Sequence, residues 1–162
     1  LESIKRKCIL FQNKNMTKSK IFVNWGEMEE LVKILATKIQ LRYTYNKEIE
    51  AIYGCPRGGL IPAVMLSHEL NIPLIVEKNQ INKNTLIVDD ICDSGETFLS
   101  LYDEYLEGYE PEDAPKFACL HYKFDTSDFT PDFFGMKIED FDGWIVYPWE
   151  QSDSETIQDY LK

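Results

Sequence analysis

The chain has 162 residues, of which 44% are hydrophobic, 13% aromatic and 28% charged, the proportions of a globular protein rather than a disordered or fibrous one. The formal net charge is −11, yet the first twenty residues hold six Lys or Arg against one Glu, which leaves −16 on residues 21–162. Such an acidic body repels nucleic acid, and no apolar run approaches the ~20 residues that span a bilayer, so neither a nucleic-acid nor a membrane partner is expected.

Cys8, Cys55, Cys92 and Cys119 stand far apart with no C-x-x-C pair, and there are only two histidines. A zinc site is therefore not expected, and reduced thiols in a cytoplasmic protein fit the pattern. Residues 1–15 lack the apolar stretch and small-residue cleavage site of a secretory signal. Residues 1–20 read as a basic N-terminal extension ahead of one domain, residues 21–162, long enough to bury its own core.

Asn24 followed three residues later by Glu27 has the pattern of a capping box, and Met28, Leu31, Val32, Leu35 and Ile39 recur at helical spacing, which predicts a helix over 26–42. Residues 49–54 form a short apolar run broken by Cys55-Pro56-Arg57-Gly58-Gly59, and residues 60–70 suit a helix that tolerates Pro62 near its start. Two brief strands are predicted over 74–76 and 86–88, then a helix over 97–106 ending near Gly108. Residues 117–122 read as a strand, 133–136 and 144–147 as two shorter ones, and 152–161 as a closing helix capped by Ser152 or Asp153. This alternation implies an α/β fold with a parallel sheet and crossover helices.

The most informative string is Thr85-Leu86-Ile87-Val88-Asp89-Asp90-Ile91-Cys92-Asp93-Ser94-Gly95-Glu96-Thr97, an apolar strand that ends in carboxylates and passes through a small-residue turn into a helix. Ligands of open α/β sheets bind at that end of the strands. The turn can aim backbone N–H groups and the Ser94 and Thr97 hydroxyls at a phosphate beside the positive end of the helix dipole. Asp89 and Asp90 can accept hydrogen bonds from sugar hydroxyls or hold Mg²⁺ through water. Cys55-Pro56-Arg57-Gly58-Gly59-Leu60 also follows a strand; glycines let the backbone approach an anion, and Arg57 supplies a cationic fork.

The first string closely resembles the phosphoribosyl pyrophosphate signature of the type I phosphoribosyltransferases at every defining position. The Arg-Gly-Gly loop is similar to the pyrophosphate loop of the small prokaryotic xanthine-guanine and hypoxanthine members. The resemblance runs from about Trp25 to Glu150. It implies the type I fold, a central, mainly parallel sheet flanked by helices, and transfer of the phosphoribosyl group to a 6-oxopurine (hypoxanthine, guanine or xanthine) with Mg²⁺ and release of pyrophosphate.

In that frame Arg57, Gly58 and Gly59 meet the pyrophosphate, Asp89 and Asp90 the ribose hydroxyls and the metal, and Asp93, Ser94, Gly95, Glu96 and Thr97 the 5′-phosphate. Asp93 also takes the proton from purine N7. Glu96 fills the variable position and has to point away from the phosphate, because like charges repel. Lys123 matches the lysine that donates to the 6-oxo group, Trp144 and Ile145 the stretch that stacks on the base and meets its exocyclic edge, and Glu150 an acid that contacts Mg²⁺. No covalent intermediate is needed, so Cys55 and Cys92 read as packing residues.

One departure stands out. Members of the family carry a long mobile hood where this chain has only residues 77–85, so the hood is expected to be very short, with Lys78 and Lys83 the cations available there. The short hood also suits a rival reading, a regulatory nucleotide-binding protein on the same fold. A homo-oligomer is expected.

Overall fold

The computed structural model describes residues 19–43, 49–106, 110 and 113–151. Cys8 and the helix expected over 152–161 lie outside the described residues. Two units make up the chain, residues 1–28 with 140–162, and residues 29–139.

In the first unit β1 (Lys20–Phe22) runs parallel to β7 (Trp144–Val146), with Lys20 opposite Trp144 and Phe22 opposite Val146. Three residues are too few for alternation to be visible, and sequence reading passed over β1. Helix α1 (Trp25–Tyr43) opens here on the expected capping box: the Asn24 N–H donates to Glu27 Oε2 at 2.9 Å, and the Glu27 N–H to Asn24 Oδ1 at 3.0 Å. Two of the four N–H groups that a helix start leaves without partners are thereby satisfied. Trp149 lies between Tyr147, stacked at 4.9 Å and 6°, and Trp25, tilted at 6.1 Å.

The second unit is built on a five-stranded sheet, parallel throughout, in the order β3-β2-β4-β5-β6. Its strands are β2 (Ala51–Gly54), β3 (Leu74–Ile75), β4 (Thr85–Cys92), β5 (Lys116–Lys123) and β6 (Phe133–Ile138), with α2 (Leu60–Leu70) after β2 and α3 (Glu96–Leu106) after β4. Parallel strands need crossovers, and right-handed crossovers running in opposite directions put their helices on opposite faces. Accordingly α3 brings Phe98 against Tyr53, Ile87, Phe117 and Cys119. Gly54, at the end of β2, comes so close to α2 that a Cβ there would lie 2.8 Å from the Ala63 methyl. Burial on both faces explains why β4 and β5 read as apolar runs without alternation.

Strand β4 is longer than the run expected at 86–88, and it carries Asp89 and Asp90 inside the sheet. Sequence reading stopped at the first carboxylate because charge ordinarily ends a buried strand. A 3₁₀ turn, Lys78–Gln80, occupies the short connection before β4. No helix among the described residues is long and apolar enough to cross a membrane.

Candidate functional site

The chain leaves β2 toward β3 on one side of the sheet and leaves β4 toward β5 on the other. This reversal opens a crevice beyond the carboxyl ends of β2 and β4, where open α/β sheets bind ligands. The Arg57-Gly58-Gly59 loop follows β2, and the turn at residues 93–95 follows β4, so both motifs lie at the switch point.

The two segments touch. A Cβ on Gly58 would stand 2.1 Å from Asp90 Oδ2, an approach only glycine permits. The peptide bond between Pro56 and Arg57 is cis, and Arg57 itself is exposed. Asp90 is buried at 8% exposure, and the Asp89 carboxylate accepts from the backbone N–H groups of Asp90, at 2.9 Å, and Gly59. Burial first, and the neighbouring Asp90 charge second, push the Asp89 pKa well above the ordinary carboxylate range, against the pull of those two N–H donors.

After β4 the chain turns at Gly95, whose φ of +86° is open to glycine and strained for other residues. Ser94 Oγ accepts the Glu96 N–H at 3.3 Å, and α3 begins at Glu96, so its first turn, whose N–H groups have no acceptor within the helix, stands at the carboxyl end of β4. Glu96 and Thr97 are exposed.

The strand register supplies the next contact. Cys92 lies opposite Tyr122, so Asp93 and Lys123 come next along β4 and β5. Lys123 Nζ donates to Asp93 Oδ2 at 2.7 Å, with the lysine side chain only 6% exposed and that of Asp93 28%. A buried ammonium needs such a partner, since an unpaired charge there is costly. The Thr126 hydroxyl reaches the other side of the same residue, 3.0 Å from Oδ1 and 3.1 Å from the carbonyl oxygen. Nothing in the sequence had singled out Thr126, because its role depends on a turn shape that residue spacing does not disclose.

The second unit thus brings together Arg57, Gly58, Gly59, Asp89, Asp90, residues 93–97 and Lys123. Trp144, Ile145 and Glu150 lie in the other unit. Ile145 is buried, and the Trp144 Nε1 is enclosed without a hydrogen-bond partner among the described residues. Glu150 Oε2 accepts the Tyr147 N–H at 2.9 Å while the Glu150 N–H donates to the Tyr147 carbonyl at 3.0 Å, so this carboxylate closes a turn.

Lys78 and Lys83, the cations of the short connection, pair with Glu104 and with Asp113, the latter at 3.0 Å. Cys55, Cys92 and Cys119 are buried free thiols, and burial raises the pKa of each, that of Cys92 to about 11. Protonated and enclosed, they are packing residues rather than nucleophiles.

N–H groups of a helix start, a glycine loop and paired charges thus lie together at the carboxyl end of a parallel sheet, the edge at which open α/β folds bind ligands. No protein-family model matches the chain. It is similar to a xanthine-guanine phosphoribosyltransferase of Idiomarina loihiensis, 27% identical with 80% of this chain and 86% of the relative covered. A purine phosphoribosyltransferase of Pyrococcus horikoshii has the same fold at a TM-score of 0.65, with 31% identity over 85% of this chain and 98% of its own. A hypothetical protein of Neisseria gonorrhoeae solved with bound ppGpp superposes at 0.66, with 26% identity and coverage of 86% and 93%. The chain belongs to the type I phosphoribosyltransferases, alongside purine-specific members.

Proposed function

We propose that the chain transfers the 5-phosphoribosyl group from phosphoribosyl pyrophosphate to a 6-oxopurine, hypoxanthine, guanine or xanthine, in purine salvage. A base nitrogen forms the bond to the anomeric carbon as the bond to pyrophosphate breaks, and the proton on the base leaves to an acceptor. The observation that supports this reading best is the Lys123–Asp93 pair, 2.7 Å from Nζ to Oδ2. A 6-oxopurine protonated at N7 offers an acceptor, O6, next to a donor, N7–H. Side by side, Lys123 and Asp93 are the complement of that edge: Lys123 has further N–H donors for O6, and Asp93 further lone pairs for the N7 proton. A 6-amino group would instead bring a donor against the ammonium, which disfavours adenine.

In this reading the 5′-phosphate sits on the N–H groups of residues 93–97, the ribose hydroxyls on Asp89 and Asp90, and the pyrophosphate on Arg57, Gly58 and Gly59. We assign base contacts also to Trp144 and Ile145. Among the described residues no three His, Cys, Asp or Glu form a metal cluster. Mg²⁺ that arrives with phosphate oxygens needs only one or two protein carboxylates, and Asp89 and Asp90 are hard donors of that kind, with Glu150 as a further candidate. When bound, the ion neutralises charge developing on the departing pyrophosphate. We place residues 21–162 in the transferase domain, behind a basic extension of residues 1–20, and assign the protein to the cytoplasm as a homo-oligomer.

A second reading, nucleotide binding without transfer, draws support from the ppGpp held by the Neisseria gonorrhoeae neighbour and from the short connection at residues 77–85. Incubation with phosphoribosyl pyrophosphate, Mg²⁺ and each base separates the two. Nucleotide and pyrophosphate forming in equal amounts with a 6-oxopurine supports transfer; ligand binding with no product supports the second reading.

A further inference from the structure

We propose that Thr126 is a positioning residue for the proton-accepting carboxylate: the turn after β5 delivers Lys123 to one oxygen of Asp93 and the Thr126 hydroxyl to the other. The proposal rests on the assignment of Asp93 as the acceptor of the base proton. A carboxylate on a single C–C bond rotates freely unless both oxygens are held. Here Lys123 Nζ holds Oδ2 at 2.7 Å, and the single hydroxyl proton of Thr126 is shared between Oδ1, at 3.0 Å, and the Asp93 carbonyl, at 3.1 Å. Both donors come from one turn, closed by the Ser127 N–H on the Lys123 carbonyl at 3.2 Å. Each oxygen keeps a lone pair for the arriving N7–H.

The turn is held in place without help from the Thr126 hydroxyl. The Asp128 N–H donates to the Ser94 carbonyl at 2.9 Å, and Ser127 Oγ lies 3.2 Å from Cys92 Sγ. Phe129 packs edge-on against Phe117, with centroids 4.9 Å apart, and against Phe98 at 5.5 Å. Gly95 fits directly beneath this segment, since a Cβ there would stand 2.8 Å from both Phe129 Cβ and Ser127 Oγ. Residues 127–129 therefore dock the segment onto the phosphate turn, and the exposed Thr126 is left with the orientation of Asp93 as its task.

Three variants test this in the full-length protein: Thr126→Val, which keeps the shape and loses the hydroxyl, Thr126→Ser, which keeps the hydroxyl, and Asp93→Asn. Misplacement of a reacting group by about 1 Å costs on the order of 10²-fold, so partial loss of orientation in Thr126→Val is expected to lower kcat roughly ten-fold. The KM for phosphoribosyl pyrophosphate should stay within about two-fold, because the phosphate turn keeps its other supports. Thr126→Ser should restore most of the rate. In the Asp93→Asn background Thr126→Val should cost nothing further, since residues acting as a unit are not additive. A slow Asp93→Asn beside a Thr126→Val at wild-type kcat, or a Thr126→Val loss equally large in both backgrounds, overturns the role of Thr126 and leaves that of Asp93 standing. Wild-type turnover in Asp93→Asn overturns the acceptor assignment and this proposal with it. If Thr126→Val lowers the melting temperature, Thr126→Ala replaces it under the same criteria.

Discussion

The turn at residues 93–97 follows the carboxyl end of β4 and the connection at residues 77–84 leads into its amino end, yet they are built on different principles. The first is held by residues 30 or more positions away: Lys123 and Thr126 on Asp93, and Ser127 against Cys92. The second is held largely by neighbours in sequence, a 3₁₀ turn with a capping box from Glu77 to Gln80 and a turn in which Asn82 Oδ1 accepts the Asn84 N–H at 2.8 Å; its longer-range ties include the Glu50 N–H on the Asn84 carbonyl at 2.8 Å and two exposed ion pairs, Lys78 with Glu104 and Lys83 with Asp113. Exposed pairs of that kind contribute about 0 to 1 kcal/mol, whereas an ion pair with a buried member is costly to break. The turn after β4 is thus tied to a distant strand through an ion pair with a buried member, whereas the connection before β4 relies on short-range turns and exposed pairs.

The strongest way to break that contrast is Asp93→Asn. It preserves the turn and removes the proposed proton acceptor, and general-base catalysis contributes ~10² to 10⁴-fold, so kcat should fall by that order while phosphoribosyl pyrophosphate binds nearly as before. Steady-state rates and a direct binding titration check both halves.

Lys123→Ala comes next. It removes a charge-assisted hydrogen bond of about 1.5 to 3 kcal/mol, so kcat/KM for hypoxanthine should drop on the order of ten- to a hundred-fold. Unchanged efficiency would take Lys123 out of the base site.

His121 sharpens the comparison from below the site, in the body of β5. Burial lowers its pKa to about 4, from an ordinary 6.5. Above pH 6.5 both folded and unfolded chains keep it neutral and it contributes nothing to pH dependence. As the pH falls from 6.5 toward 4 the unfolded chain binds a proton that the folded chain refuses, and stability is lost, about 2 kcal/mol by pH 5. Asp89, with its pKa raised, works in the opposite direction. Urea midpoints of the wild type and His121→Gln at pH 7.5 and pH 5 isolate the histidine, and the difference between the two proteins should move in favour of the variant at pH 5. Parallel curves would mean that His121 is protonated in the fold.

The smallest effects belong to the two exposed lysines of the connection before β4. Lys78→Ala and Lys83→Ala should each change stability by no more than about 0.5 kcal/mol and leave the KM for phosphoribosyl pyrophosphate unaltered. A several-fold rise in KM would show that one of these lysines leaves its acidic partner to serve the anion.

Local pattern alone was enough for much of this. The capping box at Asn24 and Glu27, the helical spacing of Met28 to Ile39, and both glycine loops with their places after strands are written in contiguous residues, because caps, periodicity and glycine turns act over a few positions. Strand β1 and the 3₁₀ turn escaped for want of length, and β4 was cut short because its carboxylates look like an end until neighbouring strands supply a reason to continue.

By itself, then, the sequence determined the parallel α/β class and the placing of two glycine-bearing loops directly after strands. Only the tertiary structure decided that Lys123 and Asp93 face each other, since that follows from the register of Cys92 against Tyr122. It also decided that Gly58 lies on Asp90, that Thr126 joins the site, and that Lys78 and Lys83 are engaged elsewhere. Each of these is a contact between distant segments, set by how strands pair and loops dock, and no local spacing rule reaches across such a distance.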